Sequence, residues 1–382
     1  VPVNQTARQL RLIVSPARED ASVYIAEVQV LGTRAGAMPE ITALATGDLT
    51  GDGAAEVVVA SAAGQVRAFD AAGAALWTAT LQDRPRVYSL ACADFDGDRR
   101  TEVAVGSGAG RLTLLSGEGE VRWTVEPPPF RGINSDVKVV LPADVDGDGT
   151  PEVIAGAASW QYFAYDGAGE MLWSHVIYAH SATVSHAADF DGDGLPEIVG
   201  GNEYYSANLI DHDGTRIFRG GRLGPEQTAA GAVDADGDGV PEMLLGTDLG
   251  ELVCFDVDGS ELWRANLGDK VTRIVTVDLD GDGADEVVCS AESAHVYAFD
   301  AAGRPLWRAA LPDGVSDLVL LPGDGARFAA AAGAAGVVLL DARGQVLGVG
   351  ALEGRAGLVA ALGGRVAVTT DRGTVAAFEV QQ

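Results

Sequence analysis

The chain has 382 residues, with 26 Lys and Arg against 55 Asp and Glu and a net charge of −29. That balance excludes recognition of nucleic acid through its phosphates, which needs a basic surface. A hydrophobic share of 47% excludes intrinsic disorder, and the longest apolar run, FAAAAGAAGVVLL, is too short to span a bilayer.

The first residues, VPVNQTARQL, lack the apolar core of a signal peptide, so the expectation is a mature chain or an excised fragment. Residues 1–25 fit no later pattern and read as an N-terminal extension. The run RQLRLIVSPAREDASVYIAEVQVLG resembles the last strands of a discoidin-type β-sandwich, which would make it the remnant of an upstream domain.

From Asp48 onward the segment D-x-[DT]-G-D-[GR]-x-x-E recurs six times, starting at Asp48, Asp94, Asp144, Asp189, Asp234 and Asp278. The starts are 46, 50, 45, 45 and 44 residues apart. A fixed period of this size signals a solenoid or a propeller. An aromatic keeps the same register, 29 residues after each leading Asp: Trp77, Trp123, Trp173, Phe218, Trp263 and Trp307. Between these marks lie short β-branched runs broken by glycine turns, as in TAAGAV, EMLLGT, ELVCFD and SELW of the fifth unit. Four antiparallel strands per unit describe a β-propeller blade, with the periodic Trp packing between blades.

Two units without the acids follow, over residues 315–350 and 357–380. The second supplies only three strands. EVQVL at 27–31 stands where a fourth strand would, so the expected fold is all-β, an eight-bladed propeller whose last blade is closed by both chain ends. Seven blades plus a hairpin is the alternative. The propeller then spans 26–382, with acid-loop blades over about 41–310 and degenerate blades over about 311–382.

Each acidic segment places oxygen ligands at positions 1, 3, 5 and 9, with glycine at 4 and usually at 6. Calcium takes six to eight oxygens, and a short loop wraps it when alternate side chains point inward. The expected ligands are Asp48, Thr50, Asp52 and Glu56, then Asp94, Asp96, Asp98 and Glu102, then Asp144, Asp146, Asp148 and Glu152. The remaining loops offer Asp189, Asp191, Asp193 and Glu197, then Asp234, Asp236, Asp238 and Glu242, then Asp278, Asp280, Asp282 and Glu286. A solvated acidic turn is the bland alternative, but it leaves four clustered carboxylates in mutual repulsion. Two loops depart from the pattern: Thr50 is a neutral ligand, and Arg99 replaces the second glycine.

With motif and period in agreement, residues 41 to about 310 resemble the FG-GAP/VCBS repeats of integrin α-subunit propellers and secreted bacterial proteins. The resemblance implies that the loop joins the first and second strands of a blade and holds a structural calcium, up to six ions in all. Weak sites of this kind fill at millimolar calcium, which implies an extracellular or cell-surface location. The Ala/Gly/Arg-rich composition reads as bacterial. The runs AFDAAGAALW, CFDVDGSELW and AFDAAGRPLW also resemble the tryptophan repeats of quinoprotein propellers, without the vicinal cysteine pair those dehydrogenases carry. Cys92, Cys254 and Cys289 read as small buried hydrophobes.

With the calcium loops on one rim, the turns between second and third strands and the blade-to-blade connections share the other. The irregular segments concentrate there, over blades 3 to 5: VEPPPFRGINSD, SWQYF, SHVIYAHSATVSH, GGNEYYSAN and RGGRLGPEQ. The candidate ligand-binding residues are Trp160, Tyr178, His180, Asn202, Glu203, Tyr204, Tyr205, Arg219 and Arg222, with His186 lining the channel. His212 falls on the calcium rim and is left out. Aromatics with amide, acid and guanidinium groups suit a sugar, so the expected partner is carbohydrate or polysaccharide, with the propeller an accessory module of a larger protein. The alternatives are a polysaccharide lyase or hydrolase, using His180 or His186, Tyr178 or Tyr204, and Arg131 or Arg219, and an integrin-like adhesion propeller.

Overall fold

The computed structural model describes residues 25–31, 38–177, 179–323 and 325–380. They form 32 strands arranged as eight four-stranded antiparallel sheets. Blades 1 to 7 are each four consecutive strands, over residues 41–80, 87–125, 137–176, 182–220, 227–266, 271–310 and 317–350. Blade 8 takes three strands from one chain end, Ala356–Leu362, Arg365–Thr370 and Val375–Val380, and one from the other, Ile25–Leu31. The last two pair antiparallel, with Val30 opposite Ala376. The eight-bladed expectation holds, the seven-bladed alternative is excluded, and the closing strand is the one read from EVQVL. The extension over residues 1–24 lies outside the described residues.

Local sequence explains the order of strands within a blade. The second strands, such as Glu56–Ser61 and Glu197–Asn202, are buried along their whole length, because neighbouring blades cover both of their faces. The outer strands alternate exposed and half-buried residues, as a strand with one solvated face must. The first strands line the ring's centre and contact one another in sequence, with Ala356–Leu362 meeting Ile41–Gly47 to complete the circle.

The apolar core lies between blades rather than within them. Among the described residues eight buried clusters occur, each drawing on two adjacent blades: Ala104 and Leu112 of blade 2 pack with Val153 and Phe163 of blade 3, for example. Cys254 and Cys289 share the cluster between blades 5 and 6, and Cys92 packs beside that between blades 1 and 2. Stability is therefore a property of the joints, as in other repeat proteins.

The periodic tryptophans act at these joints. Trp77 donates its Nε1–H to the carbonyl of Gly117 at 2.7 Å, in the turn between third and fourth strands of the next blade. Trp123, Trp173, Trp263 and Trp307 do the same to Gly167, His212, Ala301 and Ala342 at 2.8–2.9 Å. The ring packs under the turn's glycine: a Cβ on Gly119 would lie 2.6 Å from Trp77 Cδ2, and its φ of +82° is one that L side chains resist. Phe218 fills the position at the joint of blades 4 and 5 but has no N–H to give.

Candidate functional site

Strand alternation puts the six acidic loops on one rim, here called lower. Each joins the first and second strands of its blade. In blade 4, Asp189 accepts backbone N–H groups from Gly192 at 2.7 Å and Gly194 at 3.0 Å, which folds the loop around its carboxylate. Asp191 and Asp193 each accept from the residue two ahead, at 3.1 and 2.8 Å. Glu197 reaches back to Phe190 N at 2.7 Å. The same closing bond runs from Leu49, Phe95, Val145, Ala235 and Leu279 to Glu56, Glu102, Glu152, Glu242 and Glu286.

These glutamates are buried, between 0% and 6% exposed. Burial pushes Glu102, Glu152, Glu197 and Glu242 up to about 7 against the opposing pull of the backbone N–H, and raises Glu56 and Glu286 as well. One oxygen of each is spent on the loop backbone. Glu197 Oε1 and Asp94 Oδ1 are buried with no hydrogen-bond partner. Carboxylate oxygens of Asp94, Asp96 and Glu102 lie within 4.8 Å of one another, as do those of Asp144, Asp146 and Glu152, of Asp189, Asp191 and Glu197, and of Asp234, Asp236 and Asp238. A buried carboxylate without a partner is costly unless a cation neutralises it, so this donor set fits a hard divalent ion.

The two irregular loops keep the same path. Arg99 takes φ +68°, the left-handed conformation that Gly194 takes at +96° in blade 4. Its side-chain type thus changes the charge, not the fold, of the loop. Arg122 brings a second guanidinium 3.4 Å from Asp96, an internal counter-charge. In blade 1, Thr50 donates its N–H to Glu56 at 3.3 Å, and Asp48 accepts from Gly51, Asp52 and Gly53.

The upper rim of blades 3 and 4 carries a continuous run of rings. Trp160 lies 6.1 Å from His180, His180 lies 5.3 Å from Tyr204, and Tyr204 meets Tyr205 edge-on at 5.2 Å. Phe130 extends the run on the other side, 6.2 Å from Trp160, and the Arg131 guanidinium sits 5.2 Å from the Phe130 ring. Phe130 is absent from the expected set. Its only sequence signal is the Arg131-Gly132 pair after it, which adopts φ +52° and +77° in a tight turn closed by Ile133 N to Phe130 O at 2.9 Å.

Two residues of this run carry left-handed backbone. Trp160 and His180 hold φ +65° and +76°. The position of Trp160 is filled by Gly64, Gly110 and Gly250 in blades 1, 2 and 5, and by Ala294 in blade 6. Blade 3 places the largest side chain where the turn favours the smallest. Left-handed non-glycine residues cost about 1–3 kcal/mol each and persist where the surroundings over-determine them.

A buried polar layer fixes the loops beside them. Asn202, fully buried, accepts from Tyr204 N at 2.7 Å and donates to Ser206 O at 3.3 Å. Gln227 bonds both Asn202 N and Tyr204 O, at 2.9 and 2.6 Å. Asn202 thus positions the loop and offers nothing to solvent. Ser135 ties the Phe130 turn to blade 3 through Pro128 O and Ser159 Oγ, at 2.8 and 3.0 Å. Tyr162, also outside the expected set, donates to Val184 O at 2.7 Å and locks blade 3 to blade 4 beneath the rings.

Glu203 is exposed beside Tyr204, with its N–H donated to Ser181 O at 3.0 Å. Arg219 is exposed on the outer strand Arg216–Gly220, opposite Asn208. His186 lies on the inner strand Ala182–Ala188, where burial lowers its pKa. Tyr178 lies outside the described residues. Arg222 and Tyr205 line an open cleft of 790 Å³ between blades 4 and 5, floored by Leu249 and by Arg264 in its bonds to Glu251 and Glu261 at 2.7 Å. The rings therefore run into a cleft at their blade 4 end.

Residues 48–105, 94–155 and 144–200 each match the model of the FG-GAP-like repeat. The chain carries FG-GAP-like repeats. The acidic loops at Asp234 and Asp278 continue the FG-GAP pattern beyond the matched stretch. Residues 243–313 match the model of the Lambda-carrageenase beta-propeller domain. No curated protein matches the chain in sequence.

Among solved structures, this FG-GAP-repeat propeller is similar to the computationally designed Ika8 protein, at 17% identity and TM-score 0.69 over 90% of this chain and 97% of that one. It is similar to BamB from Moraxella catarrhalis at 16% identity and TM-score 0.65, over 96% and 100%. It is also similar to BBS1N in complex with ARL6DN, at 11% identity and TM-score 0.60 over 98% of each chain. At these identities the likeness shows the fold.

Proposed function

We propose that this propeller binds carbohydrate on the upper rim of blades 3 to 5, while calcium ions in the lower loops hold the ring that presents the site. The continuous run Phe130, Trp160, His180, Tyr204 and Tyr205 carries this reading. Flat rings pack against the C–H faces of sugar rings, and Arg131, Glu203 and Arg222 stand beside them for hydroxyl groups. The strain held at Trp160 and His180 is what a fixed platform requires, since rigid ordering beforehand lowers the entropic cost of binding. The match to the Lambda-carrageenase beta-propeller domain supports a carbohydrate partner, although it covers blades 5 and 6 rather than the rings.

Charge bears on the class. Six bound divalent ions would still leave a chain of formal charge −29 acidic, which favours a neutral glycan, whereas Arg131 and Arg222 beside the rings would suit an anionic one. Calcium use implies an extracellular or cell-surface protein, with the propeller as an accessory module.

The test is a glycan array followed by calorimetry on neutral and uronic-acid polysaccharides, with Trp160→Ala alongside. Binding without turnover that disappears in the variant supports the module. Unsaturated product that disappears in His180→Ala means a lyase instead. Absence of glycan binding and of turnover refutes both and directs attention to protein partners.

A further inference from the structure

Blade 4 differs from its neighbours at one lower-rim position. The second residue of the turn between third and fourth strands is Ala71, Gly117, Gly167, Val257, Ala301 and Ala342 in blades 1, 2, 3, 5, 6 and 7, and His212 in blade 4. Where a tryptophan latch exists, it uses only this residue's carbonyl, and His212 supplies it to Trp173 at 2.8 Å. The imidazole is surplus to that role.

It turns toward the acidic loop of its own blade. Its Nδ1 lies 3.6 Å from Asp193 Oδ2 and 2.8 Å from Asp211 Oδ1, buried and hydrogen-bonded to neither. Glu197 is fully buried, and its Oε1 also lacks a partner because Oε2 takes the N–H groups of Phe190 and Asp191. Ligand atoms of Asp193, Glu197 and His212 all lie within 4.8 Å of one another. Around an ion with bonds of about 2.1 Å, tetrahedral ligand atoms sit roughly 3.4 Å apart. The spacing of His212 Nδ1 and Asp193 Oδ2 is that of two ligands on one centre.

We propose that Asp193, Glu197 and His212 form a mixed nitrogen–oxygen site for a d-block divalent cation such as Zn²⁺, present in blade 4 and in none of the other five acid-loop blades. Calcium prefers oxygen, whereas imidazole nitrogen favours zinc and its neighbours, so the histidine changes which metal the corner selects. Two carboxylates and one imidazole leave a fourth position, and side-chain exposures of 42% for Asp193 and 27% for His212 open it to water. Asp193 and Glu197 are also expected ligands of the blade 4 calcium loop, so zinc would take the place of that calcium, and the site rests on that loop being a cation site.

The experiment titrates Zn²⁺ alone into the full, calcium-free chain and into His212→Ala, and repeats the titration with calcium present and its content measured in both. Alanine already occupies this position in blades 1, 6 and 7, so the variant keeps the fold and the latch carbonyl. One equivalent of Zn²⁺ bound at least tenfold more tightly by the wild type, with one equivalent of calcium displaced when calcium is present, is the expected result. Equal zinc uptake in the two proteins overturns the proposal while leaving the calcium reading intact. Absence of both metals from both proteins overturns the two together.

Discussion

His180 and Tyr204 lie ring on ring, 5.3 Å between centroids and 8° from parallel, although 24 positions of chain separate them. One belongs to the connection entering blade 4 and the other to its second turn. The stack joins these two loops into one surface. Its neighbour Trp160 comes from blade 3, so the surface crosses a joint that Tyr162 locks from below.

If the rings are the binding surface, removing one should cost affinity more than stability. Trp160→Ala or Tyr204→Ala should weaken glycan binding tenfold or more, the loss of about 1.4 kcal/mol expected of a central aromatic anchor. Calorimetry reads the affinity, and thermal melting shows the ring still closed. Asn202→Ala should do the reverse in kind. It leaves Tyr204 N–H without its acceptor inside a buried network, so it should cost about 1–3 kcal/mol of stability and blur the Tyr204 loop as well.

Metal removal should destabilise the whole ring. At an ion concentration 100-fold above Kd, each site contributes about 2.7 kcal/mol, so chelation should lower the Tm by roughly 5 °C or more and calcium should restore it. Magnesium, smaller and held to octahedral geometry, should restore less. An unchanged melting curve after exhaustive chelation refutes structural calcium.

The ion-free protein should show an unusual pH response. Burial holds Glu102, Glu152, Glu197 and Glu242 near 7 in the folded state, against 4.5 for an ordinary glutamate. The folded chain therefore binds these protons more tightly than the unfolded one. Their contribution to stability is full below about pH 4.5 and is lost as the pH rises through about 7. Melting temperature measured in chelator from pH 5 to pH 7.5 should fall on this account, and calcium should flatten the slope.

The loops should not be equal. In blade 2, Arg122 stands 3.4 Å from Asp96 and competes with any incoming cation. Arg122→Ala should tighten that site, and Thr50→Asp should tighten the first by adding a charged ligand. Calcium titrations of the two variants should each show one site gaining affinity.

The architecture was legible because spacing carries it: six acid loops and six aromatics in fixed register define blades without any knowledge of contacts. Even the closing strand could be read from its offset. The ring surface was legible only in part. Trp160 announces itself as the one Trp outside the periodic position. Phe130 does not, because its role depends on a turn bringing it beside a side chain 30 residues away. Asn202 is a polar residue in a loop-like stretch, and nothing local says that its amide faces inward. The sequence places His212 on the lower rim but not against Asp193, because strand alternation gives a side for each turn but not the direction of a side chain.

The joint of blades 4 and 5 should be the weakest of the six that follow an acid-loop blade. Trp263→Phe should cost about 1 kcal/mol by stranding the carbonyl of Ala301, and Phe218→Trp should gain a similar amount by supplying the missing donor. Paired chemical denaturation of the two variants checks both signs.

That absent indole lies at the same interface whose opposite edge opens into the cleft of Tyr205 and Arg222. A closed circle of sheets under tension parts first at its least fastened seam. If the cleft takes a ligand, loosening of this seam and widening of the cleft would be one motion.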